Sequence, residues 1–499
     1  MNPTDLSEKH YNTIFISGMD HYEGQDQHGL FQIFKFVKSK VDYSCAYLCT
    51  LDSLAGPHYD DVYNIAHLGE SDPSLRQATE HYPLGLQLNP STRHPDNYLN
   101  WFSPLKNKEG DLKTQEEYNS FLLNRIKFIA ESLPRHNNII IGDRKDIDPV
   151  FLNFIIKYHD SNVIYISMVH NNWTGGCSYP SNWSCENYKT SCKKECPWYL
   201  NNLEFTDDWL QRSEEERQRV LTKAEKLRVQ EINNFELFLE RHKNRVSLNV
   251  GSTDSYNEAE SSALFKNIKK HLIPLKNIWP SKINFSALLK NKASIKTEYL
   301  KTVAATRKKL GYPHTKFESI ILWSAVECSM ERKGFKYFAE TVNIIKDTLL
   351  SKEQFDKIGF VVCGFDSQKV VEEYFPTGFN NIITHEALGS KSYKRVLTAS
   401  DIYCCTTLSD SGPRVIGEAL AAAVPVVSFD KCISADVVND KNGKLINTGD
   451  SHQMAKAIVK IINLAPDEYI SYSKNALQSY NEFYDDSKIA SAWKNALKQ

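Results

Sequence analysis

The sequence predicts an α/β protein built from two Rossmann-like domains, each with a parallel sheet. Short apolar runs rich in β-branched residues alternate with helical patterns through the first half of the chain, and a second such series begins near residue 317. The 499 residues also exceed what one hydrophobic core usually supports. In such sheets ligands lie at the carboxyl ends of the strands, so we expect a cleft between two facing sheets.

The first series predicts five strands, each bounded by polar or glycine-containing turns. They are TIFISG (13–18), AYLCTL (46–51), NIIIGD (138–143), NVIYISMVH (162–170) and RVSLNV (245–250). A long charged helix is predicted between 208 and 245, because apolar residues recur there at helical spacing. This helix should pack on the sheet with its charged face in solvent.

The second series predicts another doubly wound sheet. Its strands are FESIILWSAV from 317, KIGFVVCG (357–364), NNIIT (380–384), DIYCCTTLS (401–409) and VPVVSFD (424–430). Helices are expected from about 335, 414 and 451.

Composition excludes several classes of protein. With 24% charged residues and a formal net charge of -1, the chain is neither disordered nor a general nucleic-acid binder. One segment departs from this balance: residues 261–310 hold eleven lysines and one arginine against the single acid Glu298, a local charge of about +11. A solvated connector and a contact with an anionic surface, such as a membrane face, are both open interpretations.

The sequence favours a cytoplasmic protein. No run reaches the roughly 18 apolar residues of a membrane span, and the first residues lack the apolar core of a secretory signal. The eleven cysteines are an odd number, and most lie inside apolar runs as small core residues do. Both features suit a reducing compartment.

Four cysteines cluster within twenty residues directly after the fourth predicted strand. Cys177, Cys185, Cys192 and Cys196 follow the pattern Cys-x7-Cys-x6-Cys-x3-Cys. Four thiols could fill a tetrahedral structural zinc site, form two disulfides or stay free. The spacing alone leaves the three alternatives open.

The segment LSDSGPRVIGEALAAAVPVVSFD (408–430) carries the strongest functional signal. A strand, a Gly-Pro loop and a helix start follow one another, so backbone N–H groups at Gly412, Arg414 and Val415 should face a ligand as a phosphate-binding helix terminus. Two acids flank this turn. Asp410 precedes it, and Glu418, expected on the first helical turn, can accept hydrogen bonds from ribose hydroxyls.

This segment resembles the signature of the retaining glycosyltransferases of family 4, which have the GT-B fold. The chain has Asp410, seven residues, Glu418-Ala419 and then AAAVPVV, where the family has two glutamates at the same spacing. The resemblance implies that Asp410 contacts the donor sugar and that Glu418 binds the nucleotide ribose. Two departures are Asp410 for glutamate and Ala423 for the usual glycine, which we interpret as a small packing change.

A second resemblance lies in ILWSAVECSMERKGF (321–335), which is similar to the family segment that ends in Arg-Lys-Gly. It implies that Arg332 and Lys333 bind the donor diphosphate and neutralise it as it leaves. The glycine and arginine common on the preceding strand are replaced by Ala325-Val326.

The stretch VHNNWTGGCSYPSNWSCENYKTSCKKECP is similar to a motif of a bacterial subgroup that makes cell-surface polysaccharides. It implies that His170 faces the donor sugar and the acceptor. Gly24, in the first strand-loop, is the candidate for close backbone approach to the substrates.

The resemblance implies a hexosyltransferase-type enzyme that moves a sugar from a UDP- or GDP-sugar to a saccharide or lipid-linked acceptor, with retention and without a catalytic metal. We expect an acceptor-side domain at 1–272, with the Cys-rich insertion 177–196, and a donor domain at 273–481. The helix at 482–499 should pack back on the first domain. The enzyme would work in the cytoplasm, with peripheral contact to the inner face of the cell membrane through 261–310 and no nucleic-acid partner.

Two alternatives remain. One is an inactive GT-B protein that binds a saccharide or carrier, and the other is a phosphorylase or epimerase of the same fold.

Overall fold

The computed structural model describes less than half of residues 1–250 and most of the chain after them. The described residues are 8–17, 29–41, 44–49, 62–64, 127–142, 149–167, 170–174, 177, 185–193, 196, 213–275, 283–309, 317–375 and 380–498. Gly24 lies outside them.

The first unit is built on a parallel sheet of seven described strands in the order β3-β2-β1-β4-β5-β6-β7. The strands are β1 (His10–Ser17), β2 (Cys45–Cys49), β3 (Val62–Asn64), β4 (Arg135–Ile141), β5 (Asn162–Ile166), β6 (Val246–Val250) and β7 (Lys269–Leu272). The central strands are buried on both faces, which explains why they appear in the sequence as continuous apolar runs.

Helices that pack on this sheet are α1 (Gly29–Lys40), α2 (Pro149–His159), α3 (Glu214–His242) and α4 (Thr253–Ser261). Helix α3 begins with a capping box, in which the Ser213 hydroxyl accepts from the Glu216 amide and the Glu216 carboxylate accepts from the Ser213 amide. Its apolar stripe, including Ile232, Phe235 and Leu239, is buried in the core of the unit as predicted.

The second unit holds a parallel sheet of six described strands in the order β10-β9-β8-β11-β12-β13. They are β8 (Ser319–Glu327), β9 (Ile358–Phe365), β10 (Ile382–His385), β11 (Ile402–Cys405), β12 (Val426–Phe429) and β13 (Gly443–Ile446). This is the Rossmann strand order. The chain adds β9 and β10 on one side of β8 and then adds β11, β12 and β13 on its other side. Loops after β8 and β11 lie where such sheets usually bind ligands.

The second half of the chain forms helices α5 to α14, besides the strands of the second sheet. The helices are α5 (Phe285–Lys309), α6 (Phe335–Ile344), α7 (Lys352–Asp356), α8 (Ser367–Tyr374), α9 (Ser390–Ala399), α10 (Arg414–Ala421), α11 (Ser434–Val437), α12 (Ser451–Ile462), α13 (Pro466–Phe483) and α14 (Asp486–Leu497). In the described part of the chain, no helix combines the length and the apolar character that crossing a membrane requires.

The chain divides into two compact units that are not continuous segments. The first comprises Met1–Gly251, Ser255–Lys276 and Ile489–Gln499, and the second comprises Ser252–Asp254 and Asn277–Lys488. The end of α14 thus belongs to the first unit, where the Leu497 carbonyl accepts a hydrogen bond from the Asn138 side chain at 3.2 Å.

The strands with long apolar runs form as predicted, and three short strands were missed. β3, β7 and β13 are edge strands of three or four residues, too short to show a periodic pattern.

Much of the basic segment 261–310 forms helix α5. Lys296 pairs with Asp401 at 2.7 Å, and Lys270 pairs with Glu260 at 2.9 Å. Lys292 is buried and donates to the Ala423 carbonyl at 3.2 Å; burial lowers its pKa to about 8. Several of these lysines therefore stabilise the fold.

Candidate active site

The Arg-Lys-Gly segment forms a tight turn after strand β8. Residues Glu331–Lys333 make one 3₁₀ turn, which ends at Gly334 with a φ of 70°. A Cβ at Gly334 would stand only 2.2 Å from the Thr406 carbonyl oxygen. Glycine is therefore required here both for its left-handed backbone and for its close approach to the chain that follows β11.

Hydrogen bonds fix this turn against the segment after β11. The Leu408 amide donates to the Arg332 carbonyl at 2.8 Å, and the Thr406 hydroxyl donates to the Lys333 carbonyl at 3.0 Å. The buried Trp323 indole N–H in turn donates to the Thr406 hydroxyl at 2.8 Å. These contacts join the carboxyl ends of the neighbouring strands β8 and β11, between which the order of strand addition changes sides.

The structure brings Arg332, Lys333 and Asp410 together. Asp410 Oδ2 lies 3.0 Å from Arg332 Nη1 and 2.6 Å from Lys333 Nζ. Burial on its own would raise the pKa of Asp410, but Lys333 and Arg332 outweigh it and lower the pKa to about 2. The group is thus ionised at neutral pH, and the three side chains together carry one net positive charge.

The turn before helix α10 has the arrangement of a phosphate-binding terminus. The helix begins at Arg414, its N-cap is Pro413, and no side chain caps it. The Gly412 amide donates to Asp410 Oδ1 at 3.3 Å. The start of α10, with Arg414 and Val415, can therefore bind an anion through the partial positive charge of its backbone, beside the two cations.

Glu418 lies on the second turn of α10, not on the first as predicted, because the helix begins at Arg414. The residue is 8% exposed, and no hydrogen bond to its carboxylate occurs within the described residues. Burial raises the pKa of Glu418, and the charge of Arg414 opposes that rise. A buried acceptor of this kind is suited to paired hydroxyl donors from a ligand.

His170 lies in the first unit, in a short 3₁₀ turn after β5. Its ring is 3% exposed and stacks on Trp173 at 5.0 Å between centroids. Its Nδ1 lies 3.1 Å from Glu258 Oε2, on helix α4. The geometry of this contact is not that of a hydrogen bond. Sequence reasoning missed Glu258.

The four clustered cysteines are also in the first unit, and none of them forms a disulfide with another described cysteine. Cys177 is buried; burial, and to a lesser degree the nearby Cys192, Cys196 and Cys185, raises its pKa to about 12. The buried Arg228 of α3 donates to the Cys192 carbonyl at 2.7 Å and pairs with Glu225, so this loop is held against α3.

Among the described residues, no three His, Cys, Asp or Glu side chains are grouped so that they could hold a metal ion. The structural zinc therefore stays a prediction from the sequence.

The segment that holds the Arg332–Lys333–Asp410 group is similar to a known protein family. Residues 319–463 match the family model described as Glycosyl transferases group 1. No curated protein matches the chain.

Solved structures resemble the whole chain at low identity. Sucrose-phosphate synthase from Thermosynechococcus elongatus is 12% identical with a TM-score of 0.54, and covers 98% of each chain. Anabaena HepE in complex with UDP-glucose is 12% identical with a TM-score of 0.54, over 98% of this chain and 100% of that one. WaaG, a glycosyltransferase involved in lipopolysaccharide biosynthesis, is 14% identical with a TM-score of 0.52, over 97% and 99%.

These likenesses establish the fold: the chain has the GT-B architecture of two Rossmann-like α/β units, as predicted. Residues 319–463 of the second unit match the glycosyl transferases group 1 model, which agrees with the predicted resemblance at that level. The bacterial subgroup, and the role of each site residue, stay predictions.

Proposed function

We propose that the protein is a retaining glycosyltransferase that moves a sugar from a nucleotide-sugar donor to a saccharide acceptor. The observation that carries this proposal is the Arg332–Lys333–Asp410 group. It lies after the ends of strands β8 and β11, inside the segment that matches the glycosyl transferases group 1 model. Two cations at this point suit a diphosphate leaving group.

In the proposed reaction, the bond between the anomeric carbon and the diphosphate oxygen breaks. A bond to the acceptor oxygen forms on the same face of the sugar, and the acceptor proton passes to the departing diphosphate. Arg332, Lys333 and the start of α10 stabilise the negative charge that develops on the leaving group. Arg332 and Lys333, which the Gly334 turn already holds in place, therefore make the largest electrostatic contribution to stabilising the leaving group.

The other site residues bind the two substrates. Glu418 accepts hydrogen bonds from the ribose, Asp410 contacts hydroxyls of the donor sugar, and His170 faces the sugar and the acceptor. The ring of His170 is buried and stacked on Trp173, which supports a fixed position for this imidazole.

A UDP-sugar is the favoured donor. HepE is described in complex with UDP-glucose, and the pneumococcal O-GlcNAc transferase GtfA is described in complex with UDP and GlcNAc. A GDP-sugar is the second donor to test, since the group of cations binds the diphosphate and not the base.

The acceptor we propose is a saccharide, lipid-linked where the protein works at the inner face of a bacterial membrane during surface polysaccharide synthesis. WaaG acts in lipopolysaccharide biosynthesis and supports this setting. Four exposed lysines of the basic segment, Lys266, Lys269, Lys290 and Lys301, form no ion pair within the described residues and are available to anionic headgroups.

The test is donor binding followed by transfer. The full chain is incubated with a panel of UDP- and GDP-sugars, and the sugar that raises the melting temperature is then supplied with saccharide acceptors. Proton NMR of the product reports whether the anomeric configuration is kept. Incubation of the donor alone separates a transferase from an epimerase or phosphorylase.

Variants make the test specific to the site. Arg332→Ala and Glu418→Ala should weaken donor binding, while Arg395→Ala, an exposed arginine of the same unit, should not. Unchanged donor affinity in both site variants contradicts the proposal.

A further inference from the structure

One oxygen atom of Asp410 accepts hydrogen bonds from both cations of the candidate site. Asp410 Oδ2 accepts from Lys333 Nζ at 2.6 Å and from Arg332 Nη1 at 3.0 Å. The three side chains are each only 13–14% exposed, so these ion pairs are shielded from water. Pairs of this kind are stronger than those on an open surface.

This geometry is that of an oxyanion site. A phosphate oxygen carries the same kind of charge as a carboxylate oxygen and accepts hydrogen bonds from the same donors at the same distances. Arg332 and Lys333 are therefore already placed to bind one anionic oxygen together, and the anion that they bind in this structure belongs to the protein.

We propose that Asp410 is a resident anion, which holds Arg332 and Lys333 in their binding arrangement until the donor diphosphate displaces it. This inference rests on the proposed function and deepens it. Once displaced, the carboxylate is released to accept hydrogen bonds from the hydroxyls of the donor sugar. Binding of the diphosphate and recognition of the sugar are then coupled through one side chain, and a diphosphate without its sugar binds more weakly than the two cations alone would allow.

The coupling has a measurable consequence. If most molecules hold the cations on Asp410, the apparent affinity for a diphosphate is reduced by the fraction of molecules in which the cations are free. Asp410→Asn keeps the shape of the side chain and removes its charge, so it should raise that fraction. We expect the variant to bind UDP and inorganic pyrophosphate about tenfold more tightly than the unmodified chain.

Two matched variants accompany the measurement, which is isothermal titration of the full chain at constant ionic strength. Asp410→Glu keeps the charge and should stay within about threefold of the unmodified affinity, a change that corresponds to well under 1 kcal/mol. Glu331→Gln removes one negative charge from the same turn, but this side chain is exposed and makes no ion pair in the described structure. It should change the affinity little, because solvent screens exposed charges.

Each result has a defined meaning. Unchanged or weaker binding by Asp410→Asn overturns the resident-anion proposal, and so does an equal gain in Glu331→Gln, which would show a general charge effect. If neither the unmodified chain nor Asp410→Asn binds UDP, GDP or pyrophosphate, the proposed function itself fails.

A structure of the unmodified chain with UDP covers the case in which Asp410→Asn does not fold. Separation of Asp410 Oδ2 from Lys333 Nζ to more than about 4 Å, the limit for an ion pair, supports the displacement. Retention of the contact beside a bound diphosphate excludes it.

Discussion

Gly334 and Thr406 approach each other so closely that a Cβ on the glycine would stand 2.2 Å from the threonine carbonyl oxygen. The contact joins the turn that carries Arg332 and Lys333 to the strand end that leads to Asp410. The geometry of the site thus depends on a residue that has no side chain.

Gly334→Ala should be strongly destabilising. Left-handed backbone costs about 1–2 kcal/mol for a residue with a Cβ, and the overlap with backbone adds about 1–3 kcal/mol. We expect a loss of about 2–5 kcal/mol in the free energy of unfolding, measured by urea denaturation. Gly389→Ala is the matched control, because a Cβ there meets nothing within 4 Å. It should change stability by less than about 1 kcal/mol; similar losses in both variants would contradict the steric argument.

Glu418→Ala should weaken UDP binding and leave pyrophosphate binding unchanged. Hydrogen bonds to a charged acceptor contribute about 1.5–3 kcal/mol, so we expect a loss of roughly 10- to 100-fold for the nucleotide. Pyrophosphate lacks the ribose and should not detect the change. Glu373→Ala, an exposed glutamate of helix α8, serves as the control. Equal losses for both ligands would place Glu418 with the diphosphate instead of the ribose.

Acid should destabilise the first unit through His136. This residue is 1% exposed, stacks on His159 at 4.5 Å, and donates from Nδ1 to the Pro134 carbonyl at 2.6 Å. Burial, followed by the charge of His159, lowers its pKa from 6.5 to about 3. The unfolded chain therefore binds a proton that the folded protein does not. Stability from this residue is complete above about pH 6.5 and is lost as the pH falls from there towards 3.

Thermal melts between pH 4 and 8 test this dependence. His136→Asn keeps a donor for Pro134 and should flatten the fall in melting temperature below pH 6.5. His452→Asn, at an exposed histidine of helix α12, should retain the full slope. An unchanged slope in His136→Asn would assign the acid sensitivity to other groups.

Zinc remains the sequence-based expectation for Cys177, Cys185, Cys192 and Cys196. Elemental analysis should find about one zinc per chain, the number that four thiolate ligands hold, and Cys192→Ser should lose it. Because burial raises the pKa of Cys177 to about 12, metal must replace a tightly held proton, and zinc should be released as the pH falls. Four reactive thiols without zinc would indicate free cysteines, whereas four protected thiols without zinc would indicate disulfides.

The central strands could be predicted because burial on both faces of a parallel sheet requires long apolar runs. The partners within the site could not. Arg332 and Asp410 are 78 residues apart, and their contact depends on the pairing of β8 with β11. The family resemblance assigned each a role but did not predict that they would pair with each other.

Two residues show why local sequence was not enough elsewhere. Glu258 reaches His170 because β5 pairs with β6, which leads into α4, and no short motif records that neighbourhood. Ala423 was interpreted as a small packing change, but its φ of 52° makes it a position where glycine relieves backbone strain. Side-chain identity alone does not reveal the backbone conformation.

The order in which the chain visits its two units limits how the protein can be divided. Asn138 and the buried Trp493 belong to the same unit, although the whole of the other unit lies between them in sequence. A gene fragment that stops near residue 276 lacks the terminal helix that completes its own fold. Exchange of one unit between related chains must therefore transfer the last eleven residues together with the beginning of the chain, because these distant segments form one fold.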